Sequence, residues 1–167
     1  SYDRMIIHAA AFAFRGRAWL VAAVPGVGKS TQVRSLIELC PGEFSVICGD
    51  RPVLQRMDDG GFLVHPSPWN GKEGWQGAPA APLAGILCLR RGEQTSIREM
   101  KLRDAVMPVY ASLISARNTE ENIHRLSAME TSLLQSAPVF DYVNGGVPDS
   151  TRALYRFLTE GGMAYGV

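Results

Sequence analysis

No charge of one sign dominates this sequence. Among its 167 residues, 17 Lys+Arg stand against 16 Asp+Glu, a net charge of +1. Proteins that hold nucleic acid by neutralising phosphates carry a larger or more clustered basic excess, so no nucleic-acid partner is expected. Long apolar runs are also missing. The longest, Met5–Phe14 and Ala18–Pro25, fall well short of the ~20 residues a membrane-spanning helix needs, so no membrane partner is expected. Met5–Phe14 superficially matches the apolar part of a signal peptide, but only Arg4 precedes it and His8 interrupts it, so it reads as a strand. Cysteine is scarce: Cys40, Cys48 and Cys88 form no CxxC pair. They read as buried free thiols of a cytoplasmic protein. The sequence starts at Ser1 rather than Met, so the native start is expected to lie elsewhere.

What is present is apolar material, 46% of the residues. That is enough for one hydrophobic core and short for two, so residues 1–167 are expected to form a single domain. Arg15-Gly16-Arg17 separates two apolar runs, Met5–Phe14 and Ala18–Val24, in the manner of a tight hairpin. From Lys29 the period changes: Val33, Leu36, Ile37 and Cys40 fall at helical spacing, and Pro41-Gly42 ends the helix. Phe44–Cys48 and Phe62–His65 read as short strands, with Asp58-Asp59-Gly60-Gly61 as a turn before the second. Residues 66–82 hold four prolines, three glycines, Trp69 and Trp75. A loop this long in a small domain is functional or mobile, and it reads equally as a lid or as packing against the sheet. Leu83–Leu89 and Thr95–Met100 read as two strands joined around Arg91-Gly92. A helix with Pro108 inside it is expected over 102–116. Asn118 with Glu121 suggests a capped start for a helix to Gln135, followed by a strand at Val139–Val143 and a helix at Ser150–Thr159. Interspersed strands and helices point to an α/β fold.

The sharpest motif is Ala23-Val-Pro-Gly-Val-Gly-Lys-Ser30 followed by Thr31. It is a phosphate-binding loop with Ala in place of the usual first Gly. Gly26 and Gly28 let the backbone curl so that successive N–H groups point inward, toward the positive end of the following helix. Lys29 would reach the β- and γ-phosphates, and the Ser30 hydroxyl would ligate Mg²⁺. Pro25, Gly26, Val27, Gly28, Lys29, Ser30 and Thr31 are therefore the candidate nucleotide-binding residues. Lys29 is one of only three lysines in the chain, and the motif lies between an apolar strand and an amphipathic helix, the context that phosphate binding requires.

A nucleoside triphosphate also calls for a metal-holding carboxylate. Asp50, after the strand Phe44–Cys48, has that setting; the other reading is a turn residue that bonds its own backbone. His8, His65 and His124 read on their own as packed or surface residues; Arg51, Arg90 and Arg91 have two readings, contact with phosphates or, as is commoner for arginines, solvation.

In order, His8-Ala-Ala-Ala, Phe14-Arg-Gly-Arg-Ala-Trp-Leu, the loop to Thr31 and Cys48-Gly-Asp-Arg-Pro-Val-Leu54 resemble the catalytic domain of HPr kinase/phosphorylase, related in fold to phosphoenolpyruvate carboxykinase. Leu87-Cys-Leu-Arg-Arg-Gly92 and Pro138-Val-Phe-Asp-Tyr-Val143 are similar to shortened bacterial relatives of that enzyme. The resemblance spans nearly the whole chain, though only the phosphate loop is sharp. It implies a phosphate-loop kinase domain with a strongly bent mixed sheet and flanking helices, and ATP- and Mg²⁺-dependent phosphoryl transfer to a protein serine. It implies catalytic roles for Asp50, His8 and Lys29, and a metal set of Ser30, Asp50 and Glu73. The family's adjacent acidic pair here reads Gly49-Asp50, its Glu-Ile-Arg-Gly type segment is replaced by residues 66–82, and HPr itself is a doubtful acceptor.

The leading expectation is thus a Mg-ATP-dependent kinase whose partner is a serine-bearing protein or peptide, with a homo-oligomer as one assembly that the family suggests. The alternatives are a nucleotide-binding regulatory module without transferase activity, motivated by Gly49, and a small-metabolite kinase.

Overall fold

A computed structural model describes residues 3–24, 26–75, 77–115 and 118–161. The expected strand over Met5–Phe14 is two strands. β1 (Arg4–Ile7) and β2 (Ala9–Phe14) belong to different parts of the sheet, and His8 is the joint. Its N–H donates to the Ser112 carbonyl at 2.7 Å, so the chain leaves one ladder and enters the other there. β2 then turns through Arg15-Gly16 into β3 (Arg17–Ala22), antiparallel with Ala9 opposite Ala22, as the hairpin reading predicts.

The remaining elements are α1 (Lys29–Leu39), β4 (Phe44–Cys48), β5 (Val53–Arg56), β6 (Phe62–His65), β7 (Ala81–Arg91), β8 (Ser96–Glu99), α2 (Leu102–Ser112), β9 (Leu113–Ile114), α3 (Glu120–Ser136), β10 (Val139–Asn144) and α4 (Asp149–Thr159). The sheet is mixed, in the order β4-β2-β3-β7-β6-β5-β1-β9, with β10 between β7 and β8. β7 joins the two halves: its first residues pair antiparallel with β6, and its later ones run parallel to β3 on one side and β10 on the other.

Strand alternation divides the core in two. Ala9, Ala11, Leu20 and Ile86 face a cluster closed by Val109 of α2 and Leu126, Met129 and Leu133 of α3. Ala10, Phe12, Trp19, Val21 and Leu87 face the other side, under Val33 and Leu36 of α1 and Leu154 and Phe157 of α4. A sheet covered on both faces is built from nearly unbroken apolar strands, which is why the two apolar runs at the start of the chain look continuous. The structure is a mixed α/β domain with four helices among the described residues. No helix among these residues is long and apolar enough to cross a membrane.

Three local expectations need correction. β7 and β8 are not a hairpin; β10 inserts between them, because Val139–Asn144 is apolar enough to pair inside the sheet on both edges. The helix expected over 102–116 ends at Ser112 and passes into β9, and Pro108 is accommodated within it. The cap of α3 is Thr119, whose hydroxyl accepts the Asn122 N–H at 3.3 Å, and not Asn118. β5, which pairs with β1 and β6, had no clear sequence signal.

Candidate active site

β3, β7 and β10 are parallel, and β4 is antiparallel to β2 as β2 is to β3. The carboxyl ends of these four strands therefore share one edge of the sheet. In open α/β sheets that edge is where ligands collect. It receives Gly49 and Asp50 after β4, Ala23, Val24 and Gly26–Gly28 after β3, Arg91 at the end of β7 and Asn144 at the end of β10. His8, just before β2, comes to the same edge.

The turn after β3 leads into α1 through two glycines in the left-handed region, Gly26 at φ 84° and Gly28 at φ 102°. Gly28 is the N-cap of α1 and, lacking a side chain, provides no side-chain cap; the first turn carries no acid. The helix start thus keeps its exposed N–H groups and partial positive charge. Lys29 folds back, its Nζ donating to the Ala23 carbonyl at 3.3 Å. Burial holds the Lys29 ammonium below its ordinary pKa, and the nearby Asp50 carboxylate partly restores it.

A cleft of about 570 Å³ opens on this turn. Gly26, Val27, Gly28, Lys29, Ser30 and Thr31 line it on one side, Asp50 and Glu73 on the other. Of the sequence candidates, Pro25 lies outside the described residues. Asp50 is fixed by two neighbours: His8 Nε2 stands 3.0 Å from Oδ1, and Arg51 Nε 3.4 Å from Oδ2. The backbone repeats the tie, since the Ala9 N–H donates to the Asp50 carbonyl at 2.9 Å. Glu73 is paired with Arg34 of α1, which draws the 71–74 segment over the cleft. His8, Lys29, Ser30, Asp50 and Glu73 are thus gathered at one edge of the sheet. His65 instead bonds Gln55 at 2.8 Å, and His124 faces Glu120 on the surface of α3.

Gly49, where the sequence resemblance implies a second acid, has no room for a side chain. A Cβ built on it would stand 2.2 Å from the Asn70 carbonyl oxygen, so a side chain there and the present path of the loop are incompatible. The loop is stitched to β4 instead. The Arg51 N–H donates to the Trp69 carbonyl at 3.3 Å, the Ser67 hydroxyl to the Arg51 carbonyl at 2.6 Å, and the Ala78 N–H to the Val46 carbonyl at 2.7 Å. Trp75 packs on the aromatic side of the core, whereas Trp69 is 49% exposed.

The sequence reading left one residue open and missed another. Arg91 donates from Nη2 to the Gly26 carbonyl at 3.0 Å and lines the cleft, so it is not simply solvated. Gln32 is fully buried, with its amide nitrogen donating to Ser150 Oγ at 2.8 Å. Its signal was available: Gln32 lies four residues before Leu36, on the apolar face of α1.

No family model matches the chain, and no curated protein matches it. Among solved structures it is similar to the Hpr(Ser) kinase/phosphatase from Coxiella burnetii, with a TM-score of 0.51 and 9% sequence identity over 93% of this chain and 98% of that one. At that identity the likeness is one of fold alone.

Proposed function

We propose that this chain is a kinase that transfers the terminal phosphoryl group of Mg-ATP to a hydroxyl, such as a serine of a protein or peptide. One observation carries the reading: Lys29 and Ser30, at the open start of α1, share a single cleft with Asp50, which His8 holds at 3.0 Å. The fold likeness to the Coxiella protein agrees with it.

In this reading the first-turn N–H groups and the Lys29 ammonium receive the β- and γ-phosphates. The base would lie toward the recess formed by Val27, Gly28 and Thr31 with Gly92 and Asn144–Val147. Ser30, Asp50 and Glu73 are the residues that would hold magnesium. They are oxygen donors around one cleft, and among the described residues no cluster of three or more acids, histidines or cysteines could cage an ion alone. Such a sparse set suits a cation that takes most of its ligands from phosphate and water. Magnesium held there would supply neutralisation of phosphate charge. Asp50 accepts the acceptor's proton as that oxygen bonds to the γ-phosphorus and the bond to the bridging oxygen breaks, releasing ADP. His8 keeps the Asp50 carboxylate oriented, and Arg91, anchored on Gly26, adds positive charge to the cleft wall.

Calorimetry with ATP and MgCl₂ tests the reading: saturable heat in the native chain, lost in Lys29→Ala, supports it, and no heat overturns it. The single acid at Gly49-Asp50 favours one other reading, a nucleotide-binding module without transfer. Nucleotide binding with no ADP formed across a panel of hydroxyl acceptors would select that alternative.

A further inference from the structure

A second and larger recess, about 940 Å³, lies beside the nucleotide cleft and has no role in the reading above. Val24, Val27 and Arg91 line both cavities, so the two are contiguous. His8 faces the recess and Asp50 faces the cleft, and these two side chains meet at 3.0 Å across the boundary. The recess is walled mostly by carbon, from Ala22 and Leu89 on the sheet to Met100, Pro108 and Ala111 beside and on α2. Charged side chains also line it, namely Arg91, Arg98, Glu99, Lys101 and Asp104, together with one bidentate pair: Arg90 Nε and Nη2 donate to the two Asp141 oxygens at 2.8 and 3.0 Å.

A cavity of that volume is of the size that takes a whole organic group, since ligand pockets run from about 300 to 1,000 Å³. Its carbon lining rewards an apolar occupant, and Val24, 69% exposed, is left without cover on the shared wall. A serine presented on a polar surface segment would leave the recess empty of any suitable group.

We propose that this recess is the acceptor subsite, and that the acceptor is an alcohol whose hydroxyl is flanked by an apolar group. The apolar group lies against Val24, Met100 and Pro108, and the hydroxyl reaches the His8–Asp50 pair. This rests on the kinase reading. Two sources share that chemistry, a free small alcohol and a serine next to an apolar side chain in a peptide.

The test uses the full chain with ¹³C-methyl methionine, read at the Met100 methyl, with benzyl alcohol as the apolar probe and glycerol as the polar one. Benzyl alcohol is expected to shift the Met100 signal saturably and glycerol to leave it unmoved. Ala111→Trp, at an exposed position of α2, is expected to abolish the shift while the heat of Mg-ATP binding stays within twofold. Ala111→Glu, which adds charge rather than bulk, is expected to weaken it at least fivefold. A silent Met100 with normal Mg-ATP heat overturns the subsite alone. Absent Mg-ATP heat overturns the kinase reading, and the acceptor role with it, whatever Met100 does. ADP formation then separates the sources. Turnover of benzyl alcohol assigns a free alcohol. Turnover of a Phe-Ser-Phe peptide at least tenfold above an Asp-Ser-Asp peptide assigns a peptide. Equal turnover of the two peptides, or none with any of these probes, overturns the proposal.

Discussion

The Tyr142 hydroxyl donates to Gln32 Oε1 at 3.0 Å, deep in the core and two residues past Ser30 on α1. The Thr151 hydroxyl donates to the same oxygen at 3.0 Å, and Tyr142 also reaches the Ser150 carbonyl at 2.7 Å. This knot ties α1 to β10 and α4, so the helix start that faces the cleft is fixed from behind. Buried polar groups that satisfy one another in this way orient a structure as much as they stabilise it.

Tyr142→Phe is expected to lose about 1–3 kcal/mol of stability in urea unfolding, the cost of leaving buried acceptors short of a donor. Burial raises the Tyr142 pKa well above its ordinary value of 10, against a smaller lowering from its bond to Ser150. Because the folded value lies above the unfolded one, the contribution is complete below pH 10 and declines as pH rises beyond it. Unfolding midpoints measured through alkaline pH should therefore fall more steeply in the native chain than in Tyr142→Phe. Parallel curves would show that the phenol is not shielded.

Asp50→Asn keeps the size of the side chain and can still contact His8, but it removes the charge and the proton acceptor. Phosphoryl transfer is expected to drop by at least 10²-fold, the lower end of what a positioned base contributes, while ATP binding changes by only a few-fold. ADP release with a transferable acceptor, beside calorimetry, separates the two effects. Transfer at the native rate would remove Asp50 from the chemistry.

Gly49→Ala tests the loop crossing. With a Cβ 2.2 Å from the Asn70 carbonyl, the 69–71 segment must move, at a cost of about 1–3 kcal/mol by analogy with overpacked cores. A lower thermal midpoint and a change in Trp69 and Trp75 fluorescence are expected together. Gly49→Asp, which places two acids side by side at 49 and 50, should be destabilised as well and gain no activity. A fully stable Gly49→Ala would mean that the Asn70 carbonyl does not crowd Gly49.

Much of this was legible in the sequence because it depends on local rules. The glycine-lysine turn, the β2–β3 hairpin and α1 follow from φ preference, turn chemistry and helical period. The strand break at His8 was hidden, because both halves of Met5–Phe14 are apolar and only the sheet decides which ladder each joins. Insertion of β10 between β7 and β8 was hidden for a related reason: adjacent strands in sequence favour a hairpin, and long-range parallel pairing leaves no local mark. Arg91 bonds the Gly26 carbonyl, 65 residues away, so the sequence alone left open whether it meets phosphate or solvent. The spacing of Asp50 from the loop was suggestive, but its contact with His8 comes from the sheet edge that both residues reach.

Lys29 gives the sharpest electrostatic test. Burial lowers its pKa from 10.5, and Asp50 only partly opposes this, so in the free chain it loses its proton at a lower pH than an exposed lysine does. A bound triphosphate favours the charged ammonium and pulls that pKa back up. Between the two values binding must take up a proton, and affinity must fall as pH rises through that window, whereas below it affinity is flat. Calorimetry near about pH 9.5, just under the ordinary lysine value, in two buffers of different ionisation heat should therefore report fractional proton uptake. Lys29→Arg should abolish that uptake, because a guanidinium keeps its proton throughout the range. Equal heats in the two buffers for the native chain would place the ammonium away from the phosphates.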